Sequence, residues 1–250
     1  MYFITSPLEQ FSILPFILIR FGYFDFSITN STMILTLGMF FFLLVSCNIF
    51  LKLLLIPGRF QFIIESIFEI ICSLVVDNIG KKGLVFFSII FSLFLAILIS
   101  NLTGLVPYSF TTTSHLIITF YLGLSFFLAI NIIGIKIHGN HFFSLFLPQG
   151  SDLMLTPLLV PIEIISYIFR PISLSVRLFA NMMAGHTLLK VIVGFAWSMM
   201  ACSGITFIAH ILPLIALVIL VGLELAVACI QTYVFVILTC IYFNDALNLH

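Results

Sequence analysis

The chain has 250 residues, of which 62% are hydrophobic and only 7% are charged, and its nine basic side chains balance nine acidic ones. The mean hydropathy of +1.33 lies far outside the range of soluble domains and excludes that class. Because neither charge is in excess, we expect no basic surface for nucleic acid and no acidic tail. The composition predicts an all-α integral membrane protein with a single polytopic domain.

The chain opens with a mixed segment, residues 1–27, which we expect to be a short surface segment on the outer side. Residues 28–56 predict a first upright span, because about 20 apolar residues suffice to cross a bilayer core. This apolar run ends at Lys52, Pro57 and Arg59, which mark a membrane boundary.

Residues 57–82 show a different pattern, in which acidic side chains interrupt apolar ones at helical spacing. The acidic residues are Glu65, Glu69 and Asp77. An amphipathic helix lying at the membrane interface explains this periodicity better than a charged loop does.

Residues 83–137 predict a helical hairpin with spans near Leu84–Leu105 and Leu116–Ile135. After it come His138 and His141, whose spacing of three could ligate a metal on a helix. The intervening glycine and asparagine favour a loop instead, and we predict no metal site there.

Residues 151–245 predict two helices of about 40 residues each, from Leu158 to Met199 and from Ile205 to Phe243. At 1.5 Å per residue each is roughly 60 Å long, whereas a bilayer core is about 30 Å thick. The helices must therefore be strongly tilted, and the first can also bend at Pro171. Charged loop residues predict an outer N-terminus and an inner C-terminus, since basic residues are concentrated in the first and third connections.

Arg177 is the residue that most needs an explanation, because a charge at membrane depth costs about 2.5–3.5 kcal/mol on insertion scales. Seven-residue steps drift by only about 20° on a helix, so Glu163, Arg170 and Arg177 share one stripe. The side chains near this stripe are small: Ser166, Ser173, Ala180 and Ala184. Small side chains let another helix approach closely, so we expect Arg177 on a contact face. His186, nine residues on, lies on the opposite side of the helix.

The second long helix carries Glu224 and Gln231 on one face, with Asp245 further along the same drifting stripe. Interhelical hydrogen bonding alone could explain Asn101 or Gln231. The ionisable groups together favour a proton path, because carboxylates and histidine exchange protons near neutral pH and arginine does not.

Three other classes of membrane protein also place polar residues inside the membrane. A haem-binding subunit needs histidines facing each other across two helices, but the intramembrane histidines are single on their segments. A secondary transporter is expected to show repeated halves, and the sequence shows no such symmetry. A metalloenzyme needs clustered ligands, and the stretch from His138 to His141 does not provide such a cluster. A haem spectrum or a bound metal in the purified protein would revive these alternatives.

Three motifs carry a family resemblance: SLSVRLFANMMAGH around Arg177, NLTGLVPYSFTTTSH in the turn 101–115, and Glu224 followed seven residues later by Gln231. They resemble the a subunit of the F-type ATP synthase membrane sector, and the pairing of His186 with Glu224 is similar to the mitochondrial and alphaproteobacterial form. The resemblance implies a non-catalytic stator subunit with two offset half-channels.

Carried over by residue, Arg177 matches the essential arginine that faces the ring of c subunits, and Asn181 matches the asparagine one turn on. His186, Glu224 and Gln231 match positions of the half-channel from the outer side, with Asn101 beside them. Glu163 and Asp245 match acidic positions of the exit on the inner side, with Arg170 between them.

The resemblance also implies partners: the c-subunit ring, the peripheral stalk, other membrane-sector subunits, protons and lipid. It implies no cofactor and no metal. Because the first residues show neither a signal peptide nor a transit peptide, we expect synthesis inside the organelle. The expected location is the mitochondrial inner membrane, with a bacterial plasma membrane as the alternative.

Overall fold

A computed structural model gives the fold of residues 8–22, 24–51, 57–106, 109–139, 141–142, 156–201 and 209–248. The expected all-α membrane architecture is confirmed. Among the described residues, four helices are long and apolar enough to cross a membrane: Lys81–Gly104, Leu116–His138, Thr156–Met200 and Ile211–Leu247.

The N-terminal segment contains short strands that the sequence did not predict. A 3-10 turn at Glu9–Phe11 precedes strands β1 (Pro15–Ile17), β2 (Arg20–Phe21), β3 (Phe24–Asp25) and β4 (Ile28–Thr29). Strand β1 pairs antiparallel with β4, and β2 pairs antiparallel with β3. An ion pair of 2.9 Å between Arg20 Nε and Asp25 Oδ1 joins strands β2 and β3.

Two helices follow. Helix α1 (Asn30–Leu51) lies in the range predicted for the first span, and its 22 residues meet the length that a bilayer core requires. The predicted boundary at Lys52 lies outside the described residues. Helix α2 (Arg59–Ile79) occupies the predicted interfacial segment. It buries its apolar face at Ile71 and Val75 and leaves Glu69 exposed.

The predicted hairpin consists of α3 (Phe87–Gly104), preceded by a 3-10 segment at Lys81–Phe86, and α4 (Leu116–His138). Between the two helices, a 3-10 turn at Thr112–Ser114 is buried together with Thr111. This part of the connection is therefore packed inside the protein, whereas Val106 nearer α3 is 57% exposed.

Helices α5 (Thr156–Met200) and α6 (Ile211–Leu247) have 45 and 37 residues. At 1.5 Å per residue their lengths are about 67 and about 55 Å, so both exceed an upright span. Helix α5 is assigned as one helix across Pro161 and Pro171. The start predicted for the second long helix, Ile205, lies outside the described residues.

The chain forms two compact units. The first combines Met1–Val45, Ala96–His115 and Leu178–Gln231, and we call it the outer unit only because it contains the segment 1–27 that the sequence analysis expects on the outer side. Its core includes Ile97, Leu178 and Met182, each at most 3% exposed.

The second unit, which we call the inner unit, combines Ser46–Leu95, Leu116–Arg177 and Thr232–His250. Its core includes fully buried Phe235 and Val75. Helix α4 approaches α5 closely at Gly123, where an added Cβ atom would lie 3.3 Å from the carbonyl oxygen of Pro171. Such contacts through small residues are typical of helix packing in membranes.

Candidate functional site

His186 of α5 and Glu224 of α6 lie together inside the outer unit. Nε2 of His186 is 3.6 Å from Oε1 of Glu224, and the two side chains are only 15% and 6% exposed. The two residues are far apart in the sequence, and the packing of two helices brings them into ion-pair range. The pairing implied by the resemblance is therefore present in the geometry.

A cavity of about 970 Å³ in the outer unit reaches this pair. Its lining includes Gln10 in the exposed N-terminal segment, Asn30 at the start of α1 and Ser109 after α3, together with His186 and Glu224. The cavity therefore connects exposed residues with a buried carboxyl group. The sequence did not predict that the N-terminal segment would contribute to it.

The three candidate amide side chains also lie in the outer unit. Nδ2 of Asn181 donates a hydrogen bond of 3.0 Å to Oε1 of Gln231. Nδ2 of Asn101, a fully buried residue, donates a bond of 3.4 Å to the carbonyl oxygen of Ala228. These bonds link α3 and α5 to α6, so the amides hold together the helices that carry His186 and Glu224.

Several buried polar atoms of this group make no hydrogen bond within the part of the chain that the structure describes. They are Nε2 of His186, both carboxyl oxygens of Glu224 and Nε2 of Gln231. A buried polar group without a partner costs about 1–3 kcal/mol. Open hydrogen-bonding sites beside a cavity can bind water molecules and protons reversibly.

Three of the four remaining charged candidates form a second group, which lies in the inner unit. Nη1 of Arg170 donates a hydrogen bond of 2.9 Å to Oδ2 of Asp245, and Nη2 lies 3.9 Å from Oε1 of Glu163. Glu163 therefore lies within ion-pair range of Arg170, one of the two arginines on its predicted stripe. Glu163 and Arg170 are seven residues apart, which is about 10 Å along the helix, and two long side chains can span that distance. Glu163 and Arg177 are fourteen residues apart, which is about 21 Å.

Two tyrosines that the sequence analysis missed complete the inner group. The guanidinium carbon of Arg170 lies 5.3 Å from the ring centroid of Tyr167 and 5.4 Å from that of Tyr242. Each tyrosine precedes a charged member of the group by three residues, so it shares a helix face with that member. This spacing is a signal that could have identified both.

Arg177 is not a member of either group of ion-paired residues. Its side chain is exposed, and it forms no ion pair with the described residues. Ser173 and Ala180, near Arg177 on the same helix side, are exposed as well. An unpaired charge at membrane depth is costly, so the exposed position of Arg177 agrees with the contact face expected for it in the sequence analysis.

Gly185 is a further site residue that the sequence analysis missed. A Cβ atom at this position would lie 2.6 Å from Oε1 of Glu224, closer than real Cβ contacts. The absence of a side chain at Gly185 therefore allows Glu224 to approach His186. Nothing in the helical pattern distinguishes this glycine from Gly194, where a Cβ atom would meet open space.

Replacing Gly185 with alanine should lower proton-driven ATP synthesis by about tenfold, since a displacement of about 1 Å in a reacting group can cost more than that. The added methyl group would push the Glu224 carboxyl group away from His186. Assembly should persist, because alanine favours a helix over glycine by about 0.5–1 kcal/mol. The matched control is Gly194→Ala, which should leave synthesis unchanged. Equal activities of the two variants would contradict the positioning role of Gly185.

His138, which we expected in a loop, is the last residue of α4. Nε2 of His138 lies 3.1 Å from the carbonyl oxygen of Leu247, so the histidine joins the ends of α4 and α6 within the inner unit. Among the described residues, no group of three or more histidine, cysteine, aspartate or glutamate side chains could hold a metal ion.

Comparison with known proteins gives one consistent result. Residues 29–244 match the family described as ATP synthase A chain. ATP synthase subunit a of Chondrus crispus is 51% identical, with 100% of this chain and 98% of that protein covered. The subunit of Pylaiella littoralis is 54% identical, with 98% and 99% covered, and that of Rhodospirillum rubrum is 44% identical, also with 98% and 99% covered. The chain therefore belongs to the ATP synthase A chain family.

Proposed function

We propose that this chain is the proton-conducting stator subunit of an ATP synthase membrane sector, working in the mitochondrial inner membrane. The observation that carries the proposal is the cavity in the outer unit that is lined by the buried carboxyl group of Glu224, whose oxygens accept no hydrogen bond from the described residues. Membership of the family supports it. The relatives named above include one from a bacterium, Rhodospirillum rubrum, so a bacterial plasma membrane is the alternative location.

In this mechanism, protons enter the outer unit through the cavity and pass by way of His186 and Glu224. A histidine and a carboxylate can each bind and release a proton near neutral pH. Asn101, Asn181 and Gln231 cannot titrate in this range, so their role is to hold the helices and to orient the water molecules between titrating groups.

Glu163, Arg170 and Asp245 form the exit to the inner side. The chain contributes no rotor carboxylate of its own, and a ring of c subunits supplies it. Each proton neutralises one ring carboxylate, rides nearly a full turn and leaves through the exit. Arg177, a permanent cation, pairs with the ionised carboxylate and prevents a direct hop between the two half-channels.

The energetics require such coupling. A potential of 100 mV supplies about 2.3 kcal/mol per elementary charge, so several protons must be combined mechanically for each ATP. The subunit itself forms no bond with the nucleotide and uses no cofactor. Its partners are the c-subunit ring, the peripheral stalk, other membrane-sector subunits and lipid.

Reconstitution of the membrane sector with and without this chain tests the proposal. The chain should co-purify with the c-subunit ring, and vesicles should conduct protons passively only when both are present. Vesicles that contain the ring and lack this chain should stay tight. Rapid conduction by the ring alone, or by this chain alone, would overturn the stator role.

A further inference from the structure

Two carboxyl groups in the inner unit share one guanidinium group unequally. Asp245 accepts a hydrogen bond of 2.9 Å from Nη1 of Arg170, which is a good charge-assisted geometry. Glu163 lies 3.9 Å from Nη2, beyond hydrogen-bond distance. The three side chains are similarly accessible, with 26% of Arg170, 33% of Asp245 and 36% of Glu163 exposed. The difference between the carboxyl groups is therefore one of contact and not of burial.

The guanidinium group is fixed in place by more than Asp245. It lies near the rings of Tyr167 and Tyr242 at distances within the range of cation–π contacts. Tyr167 is itself anchored, since its hydroxyl group donates a hydrogen bond of 2.5 Å to Oδ1 of Asn131 on α4. Nδ2 of Asn131 in turn donates a bond of 2.9 Å to the carbonyl oxygen of Phe127. Arg170 is thus held by groups from α4, α5 and α6.

A carboxylate that exchanges protons must gain and lose a proton without dismantling its surroundings. A proton arriving on Asp245 would weaken the bond that joins α6 to Arg170, because a neutral carboxyl group is a poorer acceptor than a carboxylate. A proton arriving on Glu163 would break no hydrogen bond to the described residues, and it would weaken only a longer electrostatic contact. The two carboxyl groups, which the family resemblance treats alike, are therefore suited to different tasks.

We infer that Glu163 is the exchanging carboxyl group of the inner exit, and that Asp245 is a positioning residue. Together with Tyr167 and Tyr242, Asp245 fixes Arg170 beside Glu163. This inference rests on the proposed function and refines the role of the exit within it.

Amide substitution separates the two roles, because an amide oxygen still accepts a hydrogen bond from arginine but cannot carry a transferable proton. The variants Asp245→Ala, Asp245→Asn, Glu163→Ala and Glu163→Gln would be made in the complete synthase. Passive proton flow would be measured in vesicles from which the catalytic head has been removed. The amount of assembled membrane sector and its thermal stability would be measured in parallel.

For Asp245 we expect proton flow and thermal stability to fall in Asp245→Ala and to recover largely in Asp245→Asn. For Glu163 we expect proton flow to fall about tenfold in both variants, since the loss is that of a proton-transfer group. Thermal stability should stay near that of the unaltered complex. The pH dependence of the remaining flow should be kept in Asp245→Asn and altered in Glu163→Gln.

Two results would overturn the inference. One is an Asp245→Asn variant that conducts as poorly as Asp245→Ala while assembling normally, because an acceptor would then not suffice. The other is a Glu163→Gln variant that conducts normally. The variant Glu224→Gln, measured in the same vesicles, distinguishes a failure of the exit assignment from a failure of the proposed function. If it slows proton flow while Glu163→Gln does not, only the exit assignment fails; if neither slows flow, the proton path itself is wrong.

Discussion

Replacing Arg177 with alanine should reduce coupled ATP synthesis to background while the assembled membrane sector leaks protons. The exposed guanidinium group forms no ion pair with the described residues, so its charge is free for the rotor carboxylate that the proposed function assigns to it. Without that charge, nothing prevents a proton from passing directly between the half-channels. Passive proton conductance of head-stripped vesicles and ATP synthesis by intact vesicles would be compared.

The variant Arg177→Lys should fail as well. An ammonium group is compact and loses its proton on desolvation more readily than a guanidinium group, which also presents five donors. A matched control is Arg59→Ala, which removes an exposed arginine at the start of α2 and should preserve synthesis. Full synthesis with tight vesicles in Arg177→Ala would show that Arg177 is only structural, and the proposed mechanism would be abandoned.

Replacing Glu224 with glutamine should slow proton-driven ATP synthesis by about tenfold or more, a typical loss when a positioned proton-transfer group is removed. The substitution keeps the size of a side chain that is only 6% exposed, so the membrane sector should still assemble. Proton uptake and ATP synthesis would be measured at equal amounts of assembled complex. Unchanged rates would remove Glu224 from the path.

The control for this variant is Glu69→Gln, the same change at an exposed position of α2, and it should have no effect. A double exchange, His186→Glu with Glu224→His, provides a second comparison. The two side chains are only 3.6 Å apart, so either arrangement places one carboxyl group and one imidazole at the end of the cavity. The double variant should recover part of the synthesis that Glu224→Gln loses.

The sequence predicted the helices well because their lengths and apolar composition leave few alternatives in a membrane. It did not predict the strands between Pro15 and Thr29, since strands of two or three residues are too short for a period to be read. Pro171 offered a possible bend, and the structure assigns one helix across it. The membrane orientation and the outer location of the N-terminus stay predictions.

For the site, seven-residue spacing placed charged residues on the correct helix sides, but it could not select their partners. The stripe allowed Glu163 to pair with Arg170 or with Arg177, and the hydrogen bond of Arg170 to Asp245 joins residues 75 positions apart. Such a contact depends on how helices pack, and the periodicity of a single helix carries no information about its neighbours. The same limit explains why Gly185 was missed, since only the approach of Glu224 gives it significance.

The small exposed side chains around Arg177 have a consequence for friction. From Ser166 to Ala184 they extend over about 27 Å of α5, close to the thickness of a bilayer core. Large side chains on two packed helices interlock as ridges and grooves, and sliding past them would require each contact to be broken and remade. Serine and alanine leave only shallow grooves, so a helix that moves past α5 would meet little steric resistance. Arg177 would then be the main point of resistance, and the energy barrier to each rotational step would be set by charge rather than by shape.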